Sequence, residues 1–168
     1  NLKGKLIGIN SAIATPTGTF AGYSFAIPSN LVEKVFQDLV EYGVVQRALL
    51  GITIIDVNAE LAKEKDLPVL TGVLIDRVNA GGAAFDAGLE SGDVIIEING
   101  VEIKNVSNLQ EQVAINRPGD KILVTYIRDG KTKTLNATLK NTLGTTEVVA
   151  STNSFTIDSL ILKSSNFK

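Results

Sequence analysis

Ala87 to Ile103 reads AGLESGDVIIEINGVEI, and it fixes the local architecture more firmly than any other stretch. Two apolar runs, Asp93 to Ile98 and Val101 to Ile103, flank Asn99-Gly100. That dipeptide is the strongest short hairpin signal, because both turn positions need a left-handed backbone. Working outward, the same grammar recurs. Lys121 to Arg128 and Thr132 to Leu139 face each other across Asp129-Gly130. Gly51 to Val57 and Gly72 to Val78 read as strands, Ala59 to Asp66 as a short helix closed by Pro68, and Ala83 to Gly88 as a helical turn. Ser107 to Asn116 reads as a helix in which Ser107 and Gln110 have capping-box spacing. The region Arg47 to Leu139 is therefore expected to hold about five or six strands and two or three helices, within the size of one domain.

Upstream, short apolar runs (Leu6 to Ile9, Ala12 to Ala14, Tyr23 to Ile27) alternate with Gly, Thr and Pro, which predicts about three strands with a loop at Thr15 to Gly22. So few strands need a partner sheet. They read as the end of a larger β domain, expected in isolation to be unpaired, dimerised or rearranged. From Pro28 the period changes: Leu31, Val32, Val35, Phe36, Leu39 and Val40 keep the spacing of an amphipathic helix. Ser29 or Asn30 is placed to cap it, with Glu33 in the first turn and Gly43 at its end. The residues after Asn141, rich in Ser, Thr and Asn, suit a linker, a strand of a following domain or a poorly ordered tail.

Composition excludes several kinds of chemistry. The 168 residues carry 16 Lys+Arg against 18 Asp+Glu, so no electrostatic footprint for nucleic acid is present. The chain has no His and no Cys, which removes Ser-His-Asp and Cys-His catalysis and leaves only oxygen groups as metal ligands. No cofactor and no metal site is expected. No apolar run approaches the roughly 20 residues of a membrane span. Asp93 and Glu97 are the carboxylates that invite an acid–base reading, with no histidine to partner them.

Gln46 to Val57, QRALLGITIIDV, raises a separate question. Gly51 stands bare between Leu50 and Ile52, although glycine weakens strands. Either it marks a bulge or turn, or something approaches the backbone closely there, for instance a ligand. Leu50, Ile52 and Ile54 alternate as a core-facing strand does. Leu109 and Val113, four apart on one helix face, also suit a plain core. Arg47 suits either a solvated surface or a counter-ion to an anionic ligand.

Three stretches taken together, RALLGITI (Arg47 to Ile54), AGLESGDVIIEINGVEI and LVTYIRDGKTKTLNATL (Leu123 to Leu139), resemble a PDZ domain in the circularly permuted bacterial arrangement. NLKGKLIGINSAI and GYSFAIPSNLVEKVFQDLVEYG resemble the end of the trypsin-like domain of HtrA (Deg) serine proteases. The resemblance implies a mainly β, α+β fold: a PDZ-like, partly open β-barrel or sandwich preceded by a remnant of a trypsin-like barrel. It divides the chain into 1–28 (protease remnant), 29–46 (connecting helix and linker), 47–140 (PDZ domain) and 141–168 (linker or the start of a second PDZ domain).

It also implies a peptide site, in which the backbone of Leu49, Leu50, Gly51 and Ile52 receives a C-terminal carboxylate. Ile52, Thr53 and Ile54 offer the strand edge. Leu109 and Val113, with Leu50 and Ile52, form an apolar socket for the last side chain. Asn10, Ser11, Ala12 and Ile13 match the segment that borders the family's specificity pocket, and the Thr15 to Gly22 loop matches one of its activation loops. The family's catalytic serine motif, His and Asp are all missing, so no catalytic residue carries over. The expected partners are hydrophobic C-termini of misfolded or cleaved proteins and the absent protease domain, in a periplasmic or envelope setting. The parent is then a serine endopeptidase, possible as a homo-oligomer, while this chain is expected to be inactive. An alternative role is oligomer assembly or scaffolding.

Overall fold

The computed structural model describes residues 4–13 and 24–151. The described residues up to Val45, joined by those from Val149 to Ser151, cluster as one unit, and Gln46–Val148 as a second.

In the first unit β1 (Gly8–Ile13) pairs antiparallel with β2 (Ser24–Pro28), Gly8 opposite Pro28 and Ile13 opposite Ser24. The described strands number two rather than about three. The register shifts between Asn10 and Ala12, so an irregularity at Ser11 merges the apolar runs around it into one bent strand. The two strands pair with each other along one edge each. Helix α1 (Ser29–Tyr42) leaves β2 directly. Its start departs from expectation: Pro28 holds the cap position without a side-chain bond, Ser29 N–H donates to Ile7 C=O at 3.1 Å, and Glu33 lies beyond the first turn. The fixed φ of Pro28 and this backbone bond do what a capping side chain does elsewhere. Gly43 ends the helix as expected, in a left-handed conformation with its N–H on Leu39 C=O. Lys34 and Asp38, one turn apart, form a buried ion pair at 2.8 Å. Phe36, Leu39 and Val40 are exposed, as are Leu6, Ile7 and Ile9.

The second unit is built on one antiparallel sheet. Its strands are β3 (Ile52–Asp56), β4 (Val73–Val78), β5 (Val94–Ile98), β6 (Val101–Glu102), β7 (Lys121–Arg128) and β8 (Lys131–Thr138). The order is β3-β4-β5-β7-β8, with β6 folded back on β5. Both tight turns take left-handed pairs, φ 50° and 81° at Asn99-Gly100 and 53° and 70° at Asp129-Gly130, as hairpins of this type require. Helices α2 (Ala59–Glu64), α3 (Ala83–Ala87) and α4 (Val106–Ala114) complete the unit. Alternation along the strands sends Ile75, Ile95, Ile122 and Val124 into the main core, and the irregularity between Ile95 and Glu97 returns Ile98 to the same core, while Leu74 and Val94 pack with Ala62 of α2 in a second cluster. Asn105, not Ser107, caps α4: its side chain accepts from Asn108 N–H at 2.9 Å, and Ser107 falls inside the helix. An asparagine in extended conformation just before the first turn outcompetes the capping box two residues on.

Beyond the strands, Leu49 N–H donates to Lys140 C=O at 2.8 Å and Lys140 N–H to Leu49 C=O at 3.2 Å. The segment before β3 thus meets the segment after β8, and the sheet becomes a partly open barrel.

Asp93 is structural. It is buried, its carboxylate accepts Arg128 Nε at 2.6 Å and Nη2 at 2.7 Å, and it takes Glu90 N–H at 2.9 Å. Arg128 also donates to Gly88 C=O and Glu90 and lies over the Tyr126 ring. The hydrogen bond to Asp93 is the first cause holding the guanidinium above its ordinary pKa. Arg128→Met strands the buried carboxylate, and we expect a stability loss of about 2–3 kcal/mol, read as a lower urea midpoint. An unchanged midpoint would remove Asp93–Arg128 from the interactions that hold the fold.

Candidate functional site

Among the described residues β3 ends the sheet and pairs with β4 alone, so its outer edge offers backbone groups to a further strand. Just before it, three successive carbonyls are each engaged by the protein itself. Leu49 C=O accepts from Lys140 N–H, Leu50 C=O from Ala84 N–H at 2.8 Å, and Gly51 C=O from Asn79 N–H at 2.9 Å. In a trans peptide the carbonyl and the following N–H point in opposite directions. The amides of Leu50, Gly51 and Ile52 therefore each point away from a carbonyl that is already held. Those of Leu50 and Gly51 meet no acceptor among the described residues, and that of Ile52 faces away from β4. Consecutive amides around a left-handed residue form a small anion-binding nest.

Gly51 answers its own question twice. Its φ is +76°, and a Cβ built on it would lie 3.0 Å from Gly82 Cα. What approaches the backbone closely is thus the protein's own Gly81-Gly82 turn. Only glycine tolerates both the conformation and the contact.

The expected site residues fall as follows. Leu50, Leu109 and Val113 lie in one core cluster, with exposures of 4%, 3% and 7%, and Ile52 and Ile54 pack against it, partly exposed. The structure brings the apolar lining together, but as packed core beside the open edge, so it is a floor rather than an open hole. Thr53 and Leu49 are exposed, as is Arg47. α4 approaches β3, and Asp56 Oδ1 accepts Val106 N–H at 2.5 Å, tying the far end of β3 to the start of α4. A carboxylate at a helix N-terminus is favourably placed. Asn10, Ser11, Ala12 and Ile13 lie on β1, with Asn10 exposed and Ser11 at the irregularity. The Thr15 to Gly22 loop falls outside the described residues.

Sequence reasoning missed Asp56, Gly82 and Lys140. Gly81-Gly82 carried a turn signal, but nothing local told which strand it would touch. Among the described residues no group of three or more Asp or Glu could hold a metal ion, and no helix is long and apolar enough to cross a membrane.

The family model for the PDZ domain matches residues 48–139. A probable periplasmic serine protease do/HhoA-like protein of Haemophilus influenzae is 43% identical over 131 residues, covering 78% of this chain and 28% of that protein. The periplasmic serine endoprotease DegP of Escherichia coli is 41% identical over 140 residues, 83% of this chain and 30% of its own length. The chain thus spans less than a third of these relatives. Among solved structures, that of the HtrA-type protease AlgW with decapeptide aligns with a TM-score of 0.63 at 37% identity, over 82% of this chain and 42% of that one.

Gly51→Ala should cost about 1–3 kcal/mol, the price of a side chain held at positive φ against a backbone neighbour. Chemical denaturation reads it. A neutral substitution would mean that the left-handed turn and the Gly82 contact do not exist in solution.

Proposed function

The chain belongs to the PDZ domain family and is homologous to the HtrA (Deg) serine proteases, and from that premise we propose that its Gln46–Val148 unit captures polypeptide C-termini. The observation that carries the reading is the set of outward amides at Leu50, Gly51 and Ile52, set at the head of an unpaired strand edge. A peptide adds antiparallel to β3 through Ile52, Thr53 and Ile54, and its terminal carboxylate accepts from the three amides. Charge-assisted bonds of this kind are the strong ones. Leu50, Ile52, Leu109 and Val113 give the last side chain apolar surroundings, which selects apolar C-terminal residues. The decapeptide named with the AlgW structure, at 37% identity, supports a peptide as the ligand class.

Such C-termini become available when proteins misfold or are cleaved. With relatives named as periplasmic endoproteases, the unit serves protein quality control in the periplasm. This chain has no histidine and so no Ser-His-Asp triad of its own. Residues 1–28 belong, on this reading, to a trypsin-like protease domain, with Asn10 to Ile13 beside its specificity pocket and 29–46 as the connection to residues 47–140. Peptide capture then delivers substrate to that domain or switches it on.

Fluorescence anisotropy with a labelled peptide ending in Val or Phe tests the capture step. The free acid should bind with a dissociation constant on the order of micromolar, and the C-terminally amidated form at least roughly tenfold more weakly. Equal binding of acid and amide would sink the reading.

A further inference from the structure

The three outward amides depend on where the opposing donors are held. Two of the three carbonyls are gripped by one short segment, Asn79 N–H on Gly51 and Ala84 N–H on Leu50. Between these donors lie Gly81 and Gly82, and Gly82 is pressed against Gly51. The third carbonyl, that of Leu49, is gripped by the backbone of Lys140. The side chain of that same lysine returns to the segment: its Nζ donates to Gly81 C=O at 2.7 Å and to Asp86 Oδ2 at 2.5 Å. The Lys140 side chain is only 18% exposed. One residue therefore engages the Leu49 carbonyl through its main chain, and engages the segment that grips the next two carbonyls through its ammonium group.

We infer that Lys140 is the positioning residue for carboxylate capture, clamping the Asn79–Ala84 segment against Gly51 so that the turn carrying the Leu50, Gly51 and Ile52 amides keeps its conformation. It acts through Gly81 and touches no part of the peptide. Its charge is met by Asp86, so it is not the counter-ion of the ligand. An ammonium anchored at two acceptors fixes the turn more firmly than a neutral donor. Removing it leaves the backbone pairing with Leu49 intact but lets the turn drift, and an amide nest loses its preference for an anion when its donors diverge. The inference rests on the capture reading above.

The test compares a free-acid and an amidated peptide, identical in sequence and ending in Val, on the full chain and on Lys140→Met. In the variant, binding of the acid should weaken by about tenfold, the worth of one hydrogen bond to a charged group, while binding of the amide stays the same. Lys140→Arg, which keeps a cation and several donors, should retain most of the acid-to-amide ratio. If Lys140→Met does not fold, Lys140→Gln, too short to reach both acceptors, is read in its place. An unchanged ratio, or equal weakening of both peptides, overturns the role of Lys140. Tighter acid binding by Asp86→Asn would also overturn it, because that result makes the freed ammonium a direct counter-ion. A wild-type chain that binds acid and amide alike defeats the capture reading itself, whatever the variants do.

Discussion

The exchange of hydrogen bonds between Leu49 and Lys140 is the constraint on which the second unit depends. A sheet ordered β3-β4-β5-β7-β8 has two edges, and an open edge invites any passing strand. Pairing Leu49, three residues before β3, with Lys140, two residues after β8, closes the barrel at one end only. The closure does not extend along β3, which keeps its outer edge. The other edge is treated differently, since β8 carries exposed Lys131 and Lys133, charges that discourage strand addition. One edge is guarded and one is left available, and the available one begins where the barrel is pinned.

That position explains why the nest is affordable in a folded protein. A buried amide without an acceptor costs about 1–3 kcal/mol. Here the cost is confined to a short turn whose carbonyls are all satisfied by the chain itself, so the strain is local and the turn is held by the chain's own backbone. Preorganisation of this kind spends stability on the empty state and returns it on binding. The left-handed Gly51 is the hinge of the arrangement. A residue in the ordinary β region would send successive amides to opposite sides of the strand, as in β3 itself.

Much of this was legible in the sequence, and the boundary is physical. Asn99-Gly100 and Asp129-Gly130 announced their hairpins because a turn of two residues is decided by those two residues. Gly43 announced the end of α1 for the same reason. The alternation of Leu50, Ile52 and Ile54 told which face was apolar, yet not whether that face was floor or open socket, since both use the same residues. The errors lie where a partner distant in sequence decides. Ser29 and Asn30 looked like caps, but Pro28 holds the cap position and Ser29 N–H donates to Ile7 C=O just ahead of β1, while Asn30 Oδ1 accepts the N–H of its neighbour Leu31. Ser107 and Gln110 kept capping-box spacing, yet Asn105 was already placed to do the work. Gly51 was correctly marked as a place of close approach, while the approaching group, Gly82, could not be found without the fold. Lys140 gave no signal at all, because a lysine after a polar strand is indistinguishable from any surface lysine.

The composition after Asn141 suited a linker, a strand of a following domain or a tail, and the way the residues up to Val148 join the second unit bears on the nest. Asn141 is buried and fully employed: its N–H donates to Thr145 C=O, its Nδ2 to Thr145 Oγ1 and Glu147 C=O, and its Oδ1 accepts from the amides of Leu143 and Thr145. One side chain thereby gives this stretch the hydrogen bonds that a ladder would give a strand. The residue it fixes next door is Lys140. A chain free to swing from residue 140 onward would loosen both the pairing with Leu49 and the reach of the lysine to Gly81. Because Asn141 folds the following residues back into the same unit, Lys140 is held from both directions along the chain. The order of the nest is therefore secured not only by the strand it adjoins but by a turn whose Thr-rich composition suggested nothing of the kind.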